Sequence, residues 1–273
     1  MQFGGDKEVR EKWLRAEREV MKHGGDMVDT KRVVRDEDRK VLVGGGVGEG
    51  EQIAQGLWVS EGWVDCSGAR VLMDAIDEKM GDGGGRRSTI VGGTKEGEEQ
   101  KEVDEELRTS ETCWFGHEEN EVLKGIAERA ASYAGVPISC AESFQASRYS
   151  PGGFYSLHTD NVDSFNDLEA GGRWGTLIVY LNGGMSPSDD GERRFEGGET
   201  EFPYASGGPV LVTPSTGRGA FFHNVAGTDF PITRGNMHSL TTEGGMAHGG
   251  RKVEGEGRKY IITLWFHADD IKK

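Results

Sequence analysis

The sequence has 273 residues, 44 of them glycine, and its formal net charge at pH 7 is −15. This charge argues against a nucleic-acid partner, because proteins that bind a phosphate backbone need a basic surface. No apolar run approaches the roughly 20 residues of a membrane-spanning helix. The three cysteines, Cys66, Cys113 and Cys140, form no CxxC pair, so we expect reduced thiols that are small buried side chains.

A polar arm with a glycine-rich linker is predicted for the first 56 residues. Residues 7–22 mix charges of both signs, and the glycine-rich stretch 44–50 has the composition of a flexible linker. We therefore predict one folded domain at residues 57–273. The first 25 residues are polar and lack the pattern of a secretion signal, so the expected location is the cytoplasm by default.

Two helices are predicted in the first part of the domain, residues 57–137. Apolar residues recur at helical spacing within 69–80 and again within 118–134, and glycine follows each segment. The polar and acidic residues 91–106 between them predict a loop.

After Pro137 the pattern changes from helices to short strands. Runs rich in β-branched and aromatic residues, separated by turn residues, occur at 143–149, 176–182, 209–214, 218–225 and 259–267. Such a series predicts a β-sandwich or barrel core over residues 138–268. The expected fold class is therefore mainly β with flanking helices.

Two His-x-Asp motifs occur, His158–Asp160 and His267–Asp269. Residues i and i+2 of an extended segment face the same side, so the imidazole and the carboxylate can bind one metal ion. A third imidazole from a distant strand would complete a two-His, one-carboxylate set that leaves positions open for substrates and dioxygen. Only the first motif is followed by further histidines outside the two motifs, so we favour His158 and Asp160.

Further segments accompany this motif in a fixed order. They are RYSPGGFYSLHTD at 148–160, Arg173 followed by TLIVYLN, GGET before FP at 197–203, RGAFFHN at 218–224, and GRKY leading into TLW at 257–265. Together they resemble the motifs of the prolyl 4-hydroxylase family of Fe(II)/2-oxoglutarate dioxygenases, strongly from residue 143 and faintly from residue 57. The resemblance implies a double-stranded β-helix, or jelly-roll, with N-terminal helices packed outside, in agreement with the predicted order of elements.

The resemblance also implies an Fe(II) ligand set of His158, Asp160 and a distal histidine. In the family a lysine about ten residues after that histidine pairs with the far carboxylate of 2-oxoglutarate. We assign His248 as the distal ligand, because Lys259 follows it by 11 residues at the start of the final strand. His238 remains the alternative distal ligand. The loop after His248 departs from the family pattern, because it contains Gly249-Gly250-Arg251-Lys252 and lacks the Cys-Pro dipeptide.

The cosubstrate is expected to contact Tyr149 and Lys259. The resemblance implies that Tyr149 donates a hydrogen bond to the carboxylate that Lys259 neutralises, since a buried carboxylate needs both. Arg258 would replace Lys259 if the strand register shifted by one residue. His223 lies within an apolar strand and is expected to be a core histidine.

Three residues match family positions that face the target peptide: Tyr155, Arg173 and Trp265. Aromatic rings beside a guanidinium suit a proline ring and its flanking carbonyls, although Trp265 also fits a position in the core. The insertion at 185–196 is interpreted either as a solvated surface loop or as a loop that faces the substrate.

The resemblance implies an enzyme that uses Fe(II), 2-oxoglutarate, O2 and ascorbate as reductant. Its expected reaction hydroxylates prolyl residues in peptides to 4-hydroxyproline and releases succinate and CO2. The alternatives are a dioxygenase of the same fold acting on another side chain or a small molecule, and a catalytically silent peptide-binding module. A structural zinc site is disfavoured, because such sites prefer four closed ligands. If the N-terminus is incomplete, the resemblance implies a location in the endoplasmic reticulum. The negative charge of the domain predicts that neutral or basic peptides bind better than acidic ones.

Overall fold

A computed structural model of the chain describes residues 50–81, 108–160, 170–183, 195–225 and 246–271, with the paired backbone of Val33–Val34 and Arg86–Arg87. The predicted loop at 91–106, most of the insertion at 185–196 and the alternative ligand His238 lie outside these residues.

The described chain is mostly β-structure arranged in two main sheets and a two-stranded ribbon. Its strands are β1 (Val33–Val34), β2 (Glu51–Ala54), β3 (Leu57–Ser60), β4 (Arg86–Arg87), β5 (Ser110–Phe115), β6 (Phe144–Tyr149), β7 (Tyr155–His158), β8 (Gly175–Tyr180), β9 (Glu196–Gly197), β10 (Thr200–Phe202), β11 (Val210–Val212), β12 (Gly219–His223), β13 (His248–Gly250), β14 (Val253–Glu254) and β15 (Lys259–Phe266).

The order of the strands within the sheets is that of a jelly-roll. The larger sheet runs β2-β3-β12-β8-β15-β6-β5-β4, the smaller runs β1-β11-β10-β13-β7, and β14 pairs with β9. Except for the parallel pair of β1 and β11, the pairings are antiparallel. The prediction of a mainly β jelly-roll with helices outside is therefore confirmed.

Two helices overlap the predicted segments 69–80 and 118–134, and each begins at a side-chain cap. Helix α1 (Cys66–Lys79) follows Asp65, whose carboxylate accepts a 2.7 Å hydrogen bond from the backbone N–H of Gly68. Helix α2 (Glu121–Ala134) follows Asn120 and ends at Gly135, where φ is 71°. A short 3₁₀ turn at Ile138–Cys140 then leads into β6.

The two faces of the larger sheet bury different sets of side chains. On β15, the side chains of Tyr260, Ile262, Leu264 and Phe266 join the cluster that includes the buried faces of both helices. The alternate residues of β15 face the smaller sheet, where Ile261 joins a second apolar cluster. Lys259 lies two residues before Ile261 on the same strand, so its side chain faces the same side, between the two sheets.

Strands β2 and β5 are two of the strands of the larger sheet that the sequence did not predict. Glu51–Ala54 precedes the expected domain start at Leu57, yet it pairs with β3 through a tight turn in which Gly56 has φ of 79°. Ser110–Phe115 pairs with β6 along its whole length. Both strands are short, and each follows a segment that is not typical of strands, the glycine-rich stretch before residue 51 and the acidic loop before residue 108.

The cysteines are free thiols, as expected, but only two of them are buried. Cys113 and Cys140 lie in the core, whereas Cys66 is exposed because it opens α1 at the protein surface. Among the described residues, no helix is long and apolar enough to cross a membrane.

Neighbouring residues of α1 provide a test of its packing against the sheet. Leu72 is 2% exposed and lies in the helix-facing core cluster, whereas Val71 is 50% exposed. We predict that Leu72→Ala lowers the free energy of unfolding by about 2–5 kcal/mol through lost burial and a residual cavity. Val71→Ala should change it by about 0.5 kcal/mol or less. Urea denaturation measures both, and equal losses would contradict this packing.

Candidate metal and cosubstrate site

The side chains of His158, Asp160 and His248 meet between the two sheets. Their ligand atoms all lie within 4.8 Å of one another, and this is the group of metal-ligating side chains found in the described part of the chain. His158 on β7 and His248 on β13 are direct cross-strand partners, and Asp160 follows β7 by two residues. The structure thus brings together the three residues that the sequence predicted as ligands.

Both histidines present the same ring nitrogen to this cluster. His158 Nδ1 lies 2.8 Å from the Ser156 carbonyl oxygen, and His248 Nδ1 lies 3.1 Å from that of Met246. A carbonyl only accepts, so each Nδ1 carries the hydrogen and each Nε2 keeps a free lone pair. The Nε2 atoms lie 3.5 and 3.7 Å from the two carboxylate oxygens of Asp160.

The charge states also suit a divalent cation. Burial lowers the pKa of His248 to about 4, so the ring is neutral near pH 7. Although burial opposes its charge, the pKa of Asp160 is held well below its usual range by His248 and His158. Thr176 Oγ1 donates a 2.8 Å hydrogen bond to Asp160 Oδ2, which further stabilises the carboxylate.

A buried lysine lies in the same interlayer space. Lys259 is 2% exposed, and its Nζ donates a 2.6 Å hydrogen bond to the Gly198 carbonyl. Its strand partner is Tyr149, whose ring centroid lies 5.1 Å from Nζ, and the Tyr180 ring lies at 5.6 Å. Burial lowers the pKa of Lys259 to about 7, and the charge of the Glu199 carboxylate only partly opposes this effect.

The register of β15 distinguishes Arg258 from Lys259, the two residues that were expected to pair with the cosubstrate carboxylate. Arg258 is exposed and precedes β15, so the alternative in which Arg258 replaces Lys259 is wrong. Lys259 and Tyr149 lie opposite each other and face the same interlayer space, which is the arrangement that a shared carboxylate ligand requires.

Tyr155 lies directly against the metal-ligand cluster. Its ring stacks on His158 with a centroid distance of 3.6 Å and an interplanar angle of 18°. The guanidinium of Arg108 lies 4.4 Å from the Tyr155 ring on the ring face and also donates hydrogen bonds to Ser147 and Gln145. Tyr155 is thus fixed by Arg108, a residue that the sequence did not single out.

Arg173 and Trp265 form a second cation–aromatic pair. The Arg173 guanidinium lies 3.8 Å from the Trp265 ring and is held by Glu142 through hydrogen bonds of 2.5 and 2.9 Å. Burial would raise the pKa of Glu142, but hydrogen bonds from His267 and Arg173 hold it below its usual value. Trp265 is 5% exposed, and within the described residues its indole N–H has no hydrogen-bond partner.

The remaining histidines of the described chain lie outside the ligand cluster. His223 is 8% exposed, its ring lies 4.7 Å from that of Trp58, and burial lowers its pKa to about 3. It is a core histidine, as predicted. His267 contacts Glu142 rather than the cluster, so the second His-x-Asp motif is not a metal motif.

Comparison with known proteins agrees with this site. The model of the 2OG-Fe(II) oxygenase superfamily matches residues 144–267, a range that contains all three ligands and Lys259. Probable prolyl 4-hydroxylase 3 of Arabidopsis thaliana is 34% identical over 203 residues, covering 68% of this chain and 62% of the relative. The chain belongs to the prolyl 4-hydroxylase family of these oxygenases.

Other members of the family match over similar ranges. Prolyl 4-hydroxylase 1 of Arabidopsis thaliana is 32% identical over 178 residues, covering 60% of this chain and 55% of that protein. The chain thus spans between half and two thirds of the length of these two plant relatives.

A solved structure shows the same fold. The viral collagen prolyl hydroxylase from Paramecium Bursaria Chlorella virus-1, in its 2OG complex, superposes with a TM-score of 0.52 at 24% identity, covering 78% of this chain and 96% of that one. A prolyl hydroxylase from Trichoplax adhaerens, in complex with a hypoxia inducible factor peptide fragment, gives 0.52 at 14% identity and covers 98% and 96%. At these identities the likeness establishes the jelly-roll and no more.

The residues present fit Fe(II). Two imidazoles and one carboxylate are the donor set of the facial triad that binds non-haem iron and leaves open positions. The backbone carbonyls behind both histidines complete the second layer of contacts that such ligands need.

Two residues of the site had no signal in the sequence. Glu142 and Arg108 act through side-chain hydrogen bonds to residues distant in sequence, and no local spacing predicts such contacts. Thr176 opens the segment TLIVYLN, but its contact with Asp160 was not predicted. The His-x-Asp motif was visible because its two ligands lie on one strand and its extension.

Replacing Lys259 tests its assignment to the cosubstrate. We predict that Lys259→Met weakens 2-oxoglutarate binding by about 10- to 100-fold, because a buried charge-assisted hydrogen bond is lost. The matched control is Arg258→Met, the same kind of change one residue earlier at an exposed position. Calorimetric titration with 2-oxoglutarate, under Fe(II) and without oxygen, measures both. Equal affinities of the two variants would contradict the assignment.

The low pKa of Lys259 predicts a pH dependence of cosubstrate binding. Because the pKa is about 7, the ammonium loses its proton as the pH rises through neutrality. Only the charged form pairs with a carboxylate, so affinity should be full below pH 7 and fall above it, by at most about tenfold per pH unit. In the Lys259→Arg protein the charge persists, and the affinity should stay flat from pH 7 to pH 9. Parallel curves for the two proteins would exclude Lys259 as the titrating group.

Proposed function

We propose that this protein is an Fe(II)- and 2-oxoglutarate-dependent dioxygenase that hydroxylates prolyl residues in peptides. The observation that carries the proposal is the convergence of His158, Asp160 and His248 in the same interlayer space as the buried Lys259. A silent peptide-binding module would need neither a ligand set with free Nε2 atoms nor a buried ammonium, which is costly to maintain.

Each part of the site has a separate task in this reaction. His158, Asp160 and His248 hold the metal, and Lys259 with Tyr149 holds the far carboxylate of 2-oxoglutarate. When bound, Fe(II) would activate O2, the oxidant, and 2-oxoglutarate would supply two electrons and leave as succinate and CO2. Ascorbate serves as the reductant that keeps the iron in its ferrous form. The protein contributes position and exclusion of water, since the ligand cluster is largely buried.

The peptide is proposed to lie over Tyr155, Arg173 and Trp265. Trp265 is almost fully buried, and Trp114 lies beside it with a ring distance of 5.9 Å and 44% exposure. Aromatic surfaces of this kind bind the apolar face of a proline ring. The net charge of −15 favours neutral or basic peptides over acidic ones.

The substrate class is supported by what relatives are called. Plant relatives carry the name prolyl 4-hydroxylase, and the Trichoplax structure is a complex with a peptide fragment. The same site would also serve a dioxygenase acting on another side chain or a small molecule, because the loops that select the substrate vary independently of the metal site. The cytoplasmic location stays a prediction from the sequence.

Mass spectrometry of peptides distinguishes these reactions. We expect a proline-rich peptide incubated with the protein, Fe(II), 2-oxoglutarate and ascorbate to gain the mass of one oxygen atom on proline. The matched peptide with alanine at each proline should remain unmodified. Oxygen on another residue type would assign the site to a different dioxygenase.

Loss of a ligand should abolish the reaction without unfolding the protein. We predict that His158→Ala loses succinate release entirely, because two ligands no longer hold Fe(II) in a reactive geometry. Circular dichroism should show a retained fold, since the His158 side chain is partly exposed. Succinate release at the native rate would refute the proposed function.

A further inference from the structure

We propose that Asn224 and Thr176 form a hydrogen-bond relay that orients the carboxylate of Asp160 and thereby sets the affinity for Fe(II). The inference rests on the proposed function, because it assumes that Asp160 is a metal ligand. Both are positioning residues, since they act on the metal site through Asp160.

The relay is short, buried and continuous. Asn224 Nδ2 donates to Thr176 Oγ1 at 2.8 Å, and Thr176 Oγ1 donates to Asp160 Oδ2 at 2.8 Å. Thr176 is fully buried and Asn224 is 1% exposed. Water therefore cannot substitute for either contact.

The order of donors gives the relay a direction. A hydroxyl has one hydrogen, and a carboxylate can only accept. With the Asn224 amide occupying a lone pair of Oγ1, the Thr176 hydrogen points to Asp160. The amide thus fixes a hydroxyl that would otherwise rotate among acceptors.

The relay distinguishes the two oxygens of Asp160. Each oxygen lies near one imidazole, Oδ1 at 3.5 Å from His158 Nε2 and Oδ2 at 3.7 Å from His248 Nε2, but the Thr176 hydrogen bond is made to Oδ2. We assign Oδ1 as the metal-binding oxygen and Oδ2 as the anchored one. A carboxylate anchored in this way has lost the rotational freedom that metal binding would otherwise have to remove.

The larger sheet holds both residues of the relay in register. Thr176 on β8 lies opposite Phe222 on β12 and Trp265 on β15. Asn224 directly follows β12, and its backbone N–H donates to the Trp174 carbonyl at 2.8 Å. The relay therefore connects the central strands of this sheet to a ligand that lies beyond the end of β7.

Replacing the threonine hydroxyl tests the relay. We predict that Thr176→Val, which keeps the shape but removes the donor, weakens Fe(II) binding by about 10- to 100-fold. Thr176→Ser keeps the hydroxyl and should rescue most of this affinity. Anaerobic titration with Fe(II) alone against a competing chelator measures both, so the readout does not depend on turnover. Equal Fe(II) affinities for the two folded variants would overturn the inference.

A double-mutant cycle tests whether Asn224 acts through Thr176. Asn224→Ala should weaken Fe(II) binding in the native background and add no further loss in the Thr176→Val background. Independent losses that multiply would show that Asn224 is merely structural, and would overturn the relay. If Thr176→Val does not fold, Asn224→Ala must still weaken Fe(II) binding and Thr176→Ser must retain it.

The two proposals fail in different ways. A native protein that binds no Fe(II) would refute the proposed function. A native protein that binds Fe(II) and hydroxylates peptide, with Thr176→Val unaffected in affinity, would refute only the relay.

Discussion

The antiparallel pairing of β7 with β13 is the constraint on which the site depends. It places His158 opposite His248, so two ligands 90 residues apart become cross-strand neighbours. A shift of one residue in this pairing would turn one imidazole away from the other. The register shifts between His248 and Gly250, and β13 then continues in the sheet with Gly250 opposite Tyr155.

Burial of charge is the second feature that organises the molecule. Asp160 and Lys259 lie in the same interlayer space but do not pair with each other, and each instead contacts neutral groups, Thr176 and the Gly198 carbonyl respectively. An uncompensated buried ammonium is unfavourable, which is why burial lowers its pKa. Ligands of opposite charge would complete both environments, a cation at Asp160 and a carboxylate at Lys259. The fold is therefore stabilised by the molecules that it is proposed to bind.

The sequence predicted the elements and residues that are marked by short spacing, and it did not predict those that are defined by contacts between distant parts of the chain. The helices, five strands and the His158–Asp160 motif were visible because period and composition report local structure. Lys259 was separated from Arg258 only by the register of β15 against β6. Strand Glu51–Ala54 was not predicted because it is stabilised by pairing with β3, and a pattern of only four residues does not indicate such a pairing. Glu142 likewise gains its role from Arg173 and His267, far along the chain.

The inner face of the larger sheet changes character along its strands. On β15 the inward residues run from Ile261, in the apolar cluster, to Thr263, and on β8 they run from Ile178 to Thr176. In the register of these strands Thr263 lies opposite Ile178 and Thr176 lies opposite Trp265, so polar and apolar side chains alternate in this part of the sheet. The metal ligand Asp160 contacts this part of the sheet through Thr176. A single jelly-roll thus places Lys259, the proposed cosubstrate residue, beside the aromatic rings of the apolar cluster, and places the Thr176 hydroxyl against Asp160, the proposed metal ligand.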